Sequence, residues 1–361
     1  MITHPTAEFS QLLLAWFDQH GRKNLPWQSP RTAYRVWISE IMLQQTQVQT
    51  VIPYFNRFMQ QLPTLNDLAQ ADEDTVLSLW SGLGYYSRAR NLHKTAQMIQ
   101  QQYQGRFPET LPLLTQLPGI GPSTAAAILS QAYNQPTAIL DGNVKRVLTR
   151  FFRIAGWPEQ AHIKKILWQL AQECMPDERC ADYTQAIMDL GATCCTLKKP
   201  ACLQCPLQAH CQAFLWQEQS LYPTKKIKKP VPIQQHNLLV LQQGHRIYLE
   251  KKPATGIWGG LWCLPSLTRN EDIQDAVLKT YQLKGEAPTF VLSFIHKLTH
   301  LHLDLHAFHM TITPPAPPEK ASARWFSPQE LQHIGLAKPT MHILRQCFAK
   351  TNSLACATID I

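Results

Sequence analysis

Between Glu8 and Leu190 the apolar residues recur at the three-to-four spacing of α-helices, and beyond Pro232 they gather into short strand-like runs. Phe9, Leu12, Leu13, Trp16 and Phe17 stripe one helix from Glu8 to His20. Gly21 to Pro30 reads as a loop. Ile38, Ile41, Met42, Val48, Val51, Ile52, Phe55 and Phe58 predict a single long helix from about Ala33 to Gln60. Pro63 to Tyr103 reads as two more helices around the turn Trp80-Ser-Gly-Leu-Gly-Tyr-Tyr86. Leu111, Leu114 and Leu117 begin a helix that Pro118-Gly119-Ile120-Gly121-Pro122 must end, and from Ser123 an Ala-rich run to Ala132 is helical again. Trp157 to Glu173 and Asp182 to Leu190 complete the helical part. After it come strands at Leu238–Leu241, Arg246–Leu249, Thr289–Ile295, His300–Phe308 and Trp325–Phe326. A helix is expected from about Asp272 to Tyr281 and a loop from Pro314 to Pro318. The pattern therefore predicts a multidomain chain, all-α first and α+β second.

Tyr222 to Pro232 separates the two, and its three prolines and four lysines mark an extended, solvated connector. The expected domains are residues 1–221, a linker 222–232, a second domain 233–348 and a tail 349–361. The 361 residues are enough for two or three domains. A formal net charge of +9 suits a polyanionic partner. No run is long and apolar enough for a membrane span, and no cleavable leader pattern opens the chain, so a cytosolic protein is expected. In that reducing compartment the ten cysteines are expected as thiols or metal ligands, and five of them crowd between Cys194 and Cys211.

Five places carry candidate chemistry. The tight turn at Gly119 and Gly121 is either a plain helix connection or a place where backbone amides at a helix start receive an anion such as phosphate. Asp141, ahead of Gly142-Asn143 and a basic helix start, is an N-cap by position. A carboxylate there is expected to have a lowered pKa and to face a developing cation. Glu40 lies off the apolar stripe among large apolar neighbours, with Gln44 on the same helical face; it is either a surface residue or an acid whose pKa is raised by burial. Cys195, Cys202, Cys205 and Cys211 have the spacing C-x6-C-x2-C-x5-C, and four thiolates hold either zinc or an iron–sulfur cube. Tyr85 and Tyr86, followed by Arg88 and Arg90, are core aromatics or a stacking wedge.

LPGIGPSTAAAIL followed by LDGNVKRVL resembles the helix–hairpin–helix DNA glycosylases, and specifically the MutY-type adenine DNA glycosylases; SEIMLQQTQV and GLGYYSRARNL extend the likeness. The resemblance implies a six-helix barrel over about 26–136, and a cluster domain from about 1–25 and 137–221. It implies a general acid at Glu40 and a sugar-stabilising carboxylate at Asp141. Trp27 and Leu43 take positions around an extruded adenine, Gln45 and Thr46 take positions that enter the duplex and touch the opposite base, and Gln44 is a further candidate substrate or DNA contact. Tyr85 takes the place of the intercalating tyrosine. Gly119, Gly121, Ser123 and Lys145 fall in the DNA-contacting hairpin and the helix after Asp141. The cysteine spacing matches the family's 4Fe-4S loop, with Lys198 and Lys199 inside it as backbone contacts.

GIWGGLWCLP and HKLTHLHL likewise resemble the MutT-like (Nudix) C-terminal domain of that family, which implies reading of 8-oxoguanine through Thr299 and His300. Leu298-Thr299-His300 stands where members often have Phe-Ser-His, so the hydroxyl is kept and the aromatic lost. The Arg-Glu helix of pyrophosphatases is missing, and no such activity is expected. His296, His300, His302, His306 and His309 read as sheet-face and DNA-contact residues. The implied partner is double-stranded DNA with 8-oxoguanine:A or G:A mispairs, bound by a monomer away from any membrane. One rival is an endonuclease III-like lyase, which would need a lysine where Ser123 stands. Others are a non-catalytic damage binder and a nucleotide hydrolase.

Overall fold

The computed structural model describes residues 6–226, 230–268, 272–314 and 319–351. Packing divides the chain into two compact units, Met1–Gln70 with Asn91–Lys228, and Ala71–Arg90 with Lys229–Ile361.

The first unit is helical. Helix Thr6–His20 lays Phe9, Leu13 and Phe17 against Leu148, Phe151 and Tyr183, with the Phe9 and Phe151 rings edge-to-face at 4.9 Å. Each such ring, fully buried, contributes about 1.5–3 kcal/mol. The single helix expected from Ala33 to Gln60 is two, Ala33–Leu43 and Val48–Gln61. The break has a backbone cause. Gln44 leaves the helical region at ψ 111°, Gln45 is left-handed at φ 60°, and Gln47 is extended. Apolar spacing continues across the break, which is why periodicity alone misses it. The hairpin is as expected, with helices Leu111–Thr115 and Pro122–Tyr133. Gly119 sits at φ 78°, and a Cβ there would stand 2.9 Å from Asn91 Cβ, so the turn itself requires glycine. Helix Gly142–Phe151 follows, then Ala161–Glu173, which starts later than its apolar pattern suggests, and Cys180–Asp189, prolonged by a π-turn Leu190–Cys194. Asp189 is buried and receives Arg22 N at 2.7 Å, Arg22 Nε at 2.9 Å, Arg22 Nη2 at 2.6 Å and Gln185 Nε2 at 2.7 Å.

The second unit is built on a mixed sheet. Its strands are β1 Ile233–Gln243, β2 Arg246–Lys251, β3 Trp262–Cys263, β4 Ser266–Thr268, β5 Lys284–Gly285, β6 Thr289–Lys297, β7 His302–Thr313 and β8 Ala323–Phe326. β1 and β7 pair in parallel at the centre, from Ile233↔His302 to Gln242↔Thr311; the other pairings are antiparallel. Leu238, Val240, Leu303 and Leu305 face one core with Ile343 and Leu344 of helix Lys338–Thr351, an element absent from the expected set. Leu239, Leu241, Met310 and Ile312 face the other, with Ala276 and Val277 of helix Ile273–Tyr281. Cover on both faces explains the unbroken apolar run at Leu238–Leu241. The 63–103 region holds three helices, not two: Leu65–Gln70, Glu73–Leu79 and Ser87–Tyr103. Residues 315–318 of the expected proline loop and 352–361 of the expected tail lie outside the described residues. Among the described residues no helix is long and apolar enough to cross a membrane.

Candidate active site

Helix Ala33–Leu43 packs on the hairpin helix Pro122–Tyr133, and Glu40 meets it there. Gln131, buried on the hairpin helix, donates from Nε2 to Glu40 Oε1 at 3.2 Å. Burial pushes the Glu40 carboxyl up to about 7; the charge of Asp141 acts the same way, and the Gln131 hydrogen bond acts against both. A protonated carboxyl at neutral pH is what a general acid requires.

Asp141 is the N-cap of helix Gly142–Phe151, as expected: Oδ1 accepts from Val144 N at 2.8 Å and Oδ2 from Asn143 Nδ2 at 3.3 Å. The expected lowering of its pKa does not hold. Burial raises it and outweighs the bonds from Val144 and Asn143 and the charge of Arg146. Desolvation wins because the cap faces the interior rather than water.

The remaining expected residues of this unit fall as follows. Trp27 is buried with its ring edge-to-face to Phe55 at 5.4 Å, and Leu43 ends the Glu40 helix. Gln44 has left the helix, so it does not share Glu40's face by helical spacing; its amide lies 3.5 Å from Thr124 Oγ1. Gln45 is the left-handed residue, and Thr46 Oγ1 reaches the Gln44 carbonyl at 3.4 Å. Gly121 caps the hairpin helix at an ordinary φ of −84°, and a Cβ added there would meet nothing within 4 Å. Ser123 Oγ accepts from Leu140 N at 3.1 Å, tying the hairpin to the segment that leads into Asp141. Lys145 is ion-paired with Glu159 at 2.5 Å.

In the second unit Tyr85 is left-handed at φ 51° and 48% exposed, a strained backbone for a bulky residue. Its hydroxyl is 2.8 Å from that of Thr299. Arg88 lies 5.4 Å from the Tyr85 ring and 5.5 Å from the Trp80 ring, and both Arg88 and Trp80 donate to the Gly84 carbonyl, at 3.2 and 3.1 Å. Tyr85 and Thr299 line a cavity of about 460 Å³ together with Trp258, His296, His300 and Lys338. His306 Nε2 stands 3.3 Å from Asp304 Oδ1, and His309 Nε2 is hydrogen-bonded to Gln242 Oε1 at 2.7 Å.

Cys195, Cys202, Cys205 and Cys211 line one further cavity, with the extra thiol Cys194 and Arg150. Among the described residues no group of three or more His, Cys, Asp or Glu is arranged to hold a single metal ion. The donor set nevertheless fits a larger anionic group. Arg150 is buried, and among the described residues no carboxylate pairs with it. It donates to the carbonyls of Thr196 at 2.7 Å and Leu197 at 3.1 Å and stands 3.3 Å from Cys195 Sγ. A buried cation held by carbonyls and one thiol is costly unless negative charge gathers beside it. Arg146 joins this loop to the acid site. It reaches the Cys195 carbonyl at 2.8 Å, the Gly191 carbonyl at 2.6 Å and Asn143 Oδ1 at 2.8 Å.

Comparison with known proteins bears on the family and the fold. A model described as HhH-GPD superfamily base excision DNA repair protein matches residues 38–173, and a NUDIX domain model matches 236–346. The adenine DNA glycosylase of Buchnera aphidicola subsp. Acyrthosiphon pisum is 40% identical over 338 residues, 93% of this chain and 96% of that one. The chain belongs to the adenine DNA glycosylase family. The human adenine DNA glycosylase is 35% identical over 401 residues, covering 93% of this chain and 73% of its own. Among solved structures, a thermostable thymine-DNA glycosylase is 26% identical at a TM-score of 0.54, over 58% of this chain and 97% of that one. An endonuclease III in a non-covalent DNA complex, 21% identical at a TM-score of 0.51 over 60% and 99%, shares the fold. The expected helix–hairpin–helix region and Nudix-like domain are both present, in an enzyme of base excision DNA repair. The motifs of this family did not point to Gln131, Arg146 or Arg150. Gln131 was the one large polar residue in an Ala-rich run, and that was its only signal.

Proposed function

We propose that the chain removes adenine mispaired with 8-oxoguanine or guanine from double-stranded DNA by hydrolysing its N-glycosidic bond. The observation that carries this reading is Glu40, a carboxyl held at about 7 by burial and by Asp141. The target nucleotide leaves the stack, at about a few kcal/mol, while Gln45 and Tyr85 fill the gap. Trp27 and Leu43 surround the extruded base, and Gln44 is a further contact to the DNA. Glu40 gives its proton to a ring nitrogen of adenine. The bond from that base to C1′ then breaks, its electron pair leaves with the base, and the sugar becomes cationic. Asp141, whose charge favours the Glu40 proton beforehand, now faces that cation. The Glu40 carboxylate takes a proton from water, whose oxygen bonds to C1′, leaving an abasic site.

Gly119, Gly121, Ser123 and Lys145 hold the DNA backbone through amides and charge, with Thr46 beside the wedge. Thr299 and His300 read the base opposite the adenine. Cys195, Cys202, Cys205 and Cys211 would hold a 4Fe-4S cluster, and what it supplies is a tie for the loop that Arg146 joins to Asn143. Residues 1–221 are then the catalytic region, 222–232 the linker and 233–348 the recognition domain, working as a monomer on DNA in the cytoplasm. The test is Glu40→Gln under single-turnover conditions: it should bind an 8-oxoguanine:A duplex as tightly as wild type and release no adenine. Wild-type release by that variant would refute the assignment.

A further inference from the structure

Gln131 has no part in the chemistry just derived, yet its placement is costly. It lies in the buried run Thr124–Gln131 of the hairpin helix, among Ala125, Ala126, Ala127, Ile128 and Leu129. A buried amide costs about 1–3 kcal/mol unless its groups are bonded, and leucine or methionine would fill the same space without that cost. The amide is aimed at one atom, Glu40 Oε1, 3.2 Å away.

We infer that Gln131 is the positioning residue of the general acid, fixing Glu40 Oε1 as an acceptor and so placing the transferable proton on Oε2. The inference rests on the reading of Glu40 as the acid. In a neutral carboxyl the carbonyl oxygen is much the stronger acceptor for an N–H, and the hydroxyl oxygen carries the proton. The two oxygens are otherwise equivalent by rotation, and without Gln131 the proton would point toward the base only part of the time. Once it has left, the same N–H holds the carboxylate through a charge-assisted bond, stronger than the first. That steadies Glu40 in the form that takes a proton from water.

The charged group facing Glu40 is Asp141, from the start of helix Gly142–Phe151; the hairpin helix contributes the neutral Gln131. On Glu40's own helix, Arg35 is engaged elsewhere, donating to the Pro26 carbonyl at 2.5 Å and lying over the Phe55 ring. Arg146 acts on Asp141 rather than on Glu40. Gln131 is thus the group that favours the ionised form of Glu40.

The test is the pH profile of single-turnover excision from an 8-oxoguanine:A duplex by Gln131→Met, beside wild type and Glu40→Gln. Affinity is read in parallel on a duplex carrying 2′-fluoroadenine, which resists cleavage. Loss of the amide should move the alkaline limb upward by roughly half a pH unit. It should also lower the plateau rate about fivefold through lost orientation, with affinity unchanged. Gln131→Glu, of nearly the same shape, should move the limb further up, because a second carboxyl opposes ionisation of the first; it serves should the methionine variant not fold. A limb that stays in place overturns the inference, whether the plateau is unchanged or falls uniformly. If Glu40→Gln excises adenine normally, the acid assignment itself fails. If Glu40→Gln is inactive and the Gln131 profiles are unshifted, only the role of Gln131 falls.

Discussion

Glu40→Gln should make the protein more stable above neutrality while abolishing turnover. The Glu40 carboxyl titrates at about 7 in the folded chain against an ordinary 4.5, chiefly because it is buried and secondarily because Asp141 repels its anion. A group whose folded value is raised contributes stability that is complete below the unfolded value and lost as pH climbs through the folded one. The window is therefore pH 4.5 to 7. At about 1.4 kcal/mol per pH unit, the loss by pH 8 is at most on the order of 3 kcal/mol. Glutamine keeps an acceptor for Gln131 Nε2 and carries no charge, so the variant escapes the loss. Urea denaturation of both proteins should give nearly equal midpoints at pH 4.5 and a higher midpoint for the variant at pH 8. A gap of the same size at both pH values, or a less stable variant at pH 8, would show that the carboxyl is not held neutral by its surroundings.

The two hairpin glycines should separate fold from binding. Gly119→Ala loses about 1–2 kcal/mol on melting from its positive φ and the Asn91 contact, whereas Gly121→Ala leaves melting unchanged and weakens DNA binding measured by fluorescence anisotropy. Asp189→Ala strands Arg22 and Gln185 without their shared acceptor, and chemical denaturation should report a loss of about 3–5 kcal/mol. Thr299→Val removes the hydroxyl that meets Tyr85, so the preference for 8-oxoguanine:A over G:A should shrink in excision assays while melting hardly changes.

Glu40 and Asp141 stood out as candidates in the sequence because each sits in a run whose residues recur together in a known family. Their electrostatics were only half legible. A cap position argues for a stabilised anion, and burial, which depends on distant helices, reversed the sign for Asp141. The break after Leu43 was hidden because its left-handed residue is a glutamine, not the glycine or asparagine that usually marks such a turn. Helix Lys338–Thr351 was missed although Met341, Ile343, Leu344, Cys347 and Phe348 keep helical spacing and pack in or against the core; the stripe follows a Pro-rich stretch and a short strand, and its two ends carry polar residues. Gln131 and Arg150 gain their meaning from partners 91 and 45 residues away, a relation that local spacing cannot express.

Ala71–Arg90 packs with residues beyond the linker rather than with the helices that precede it in the chain. Ribosomal order and packing order therefore differ. The segment bearing Tyr85 emerges early and must wait for β1 and β7, whose parallel pairing closes a loop of some sixty-nine residues, before its own partners exist. Proteolysis in the lysine-rich stretch around Lys225 would not release two intact bodies. The amino-terminal fragment would keep Trp80 and Tyr86 and lose Leu336, whose carbonyl Tyr86 meets at 3.5 Å.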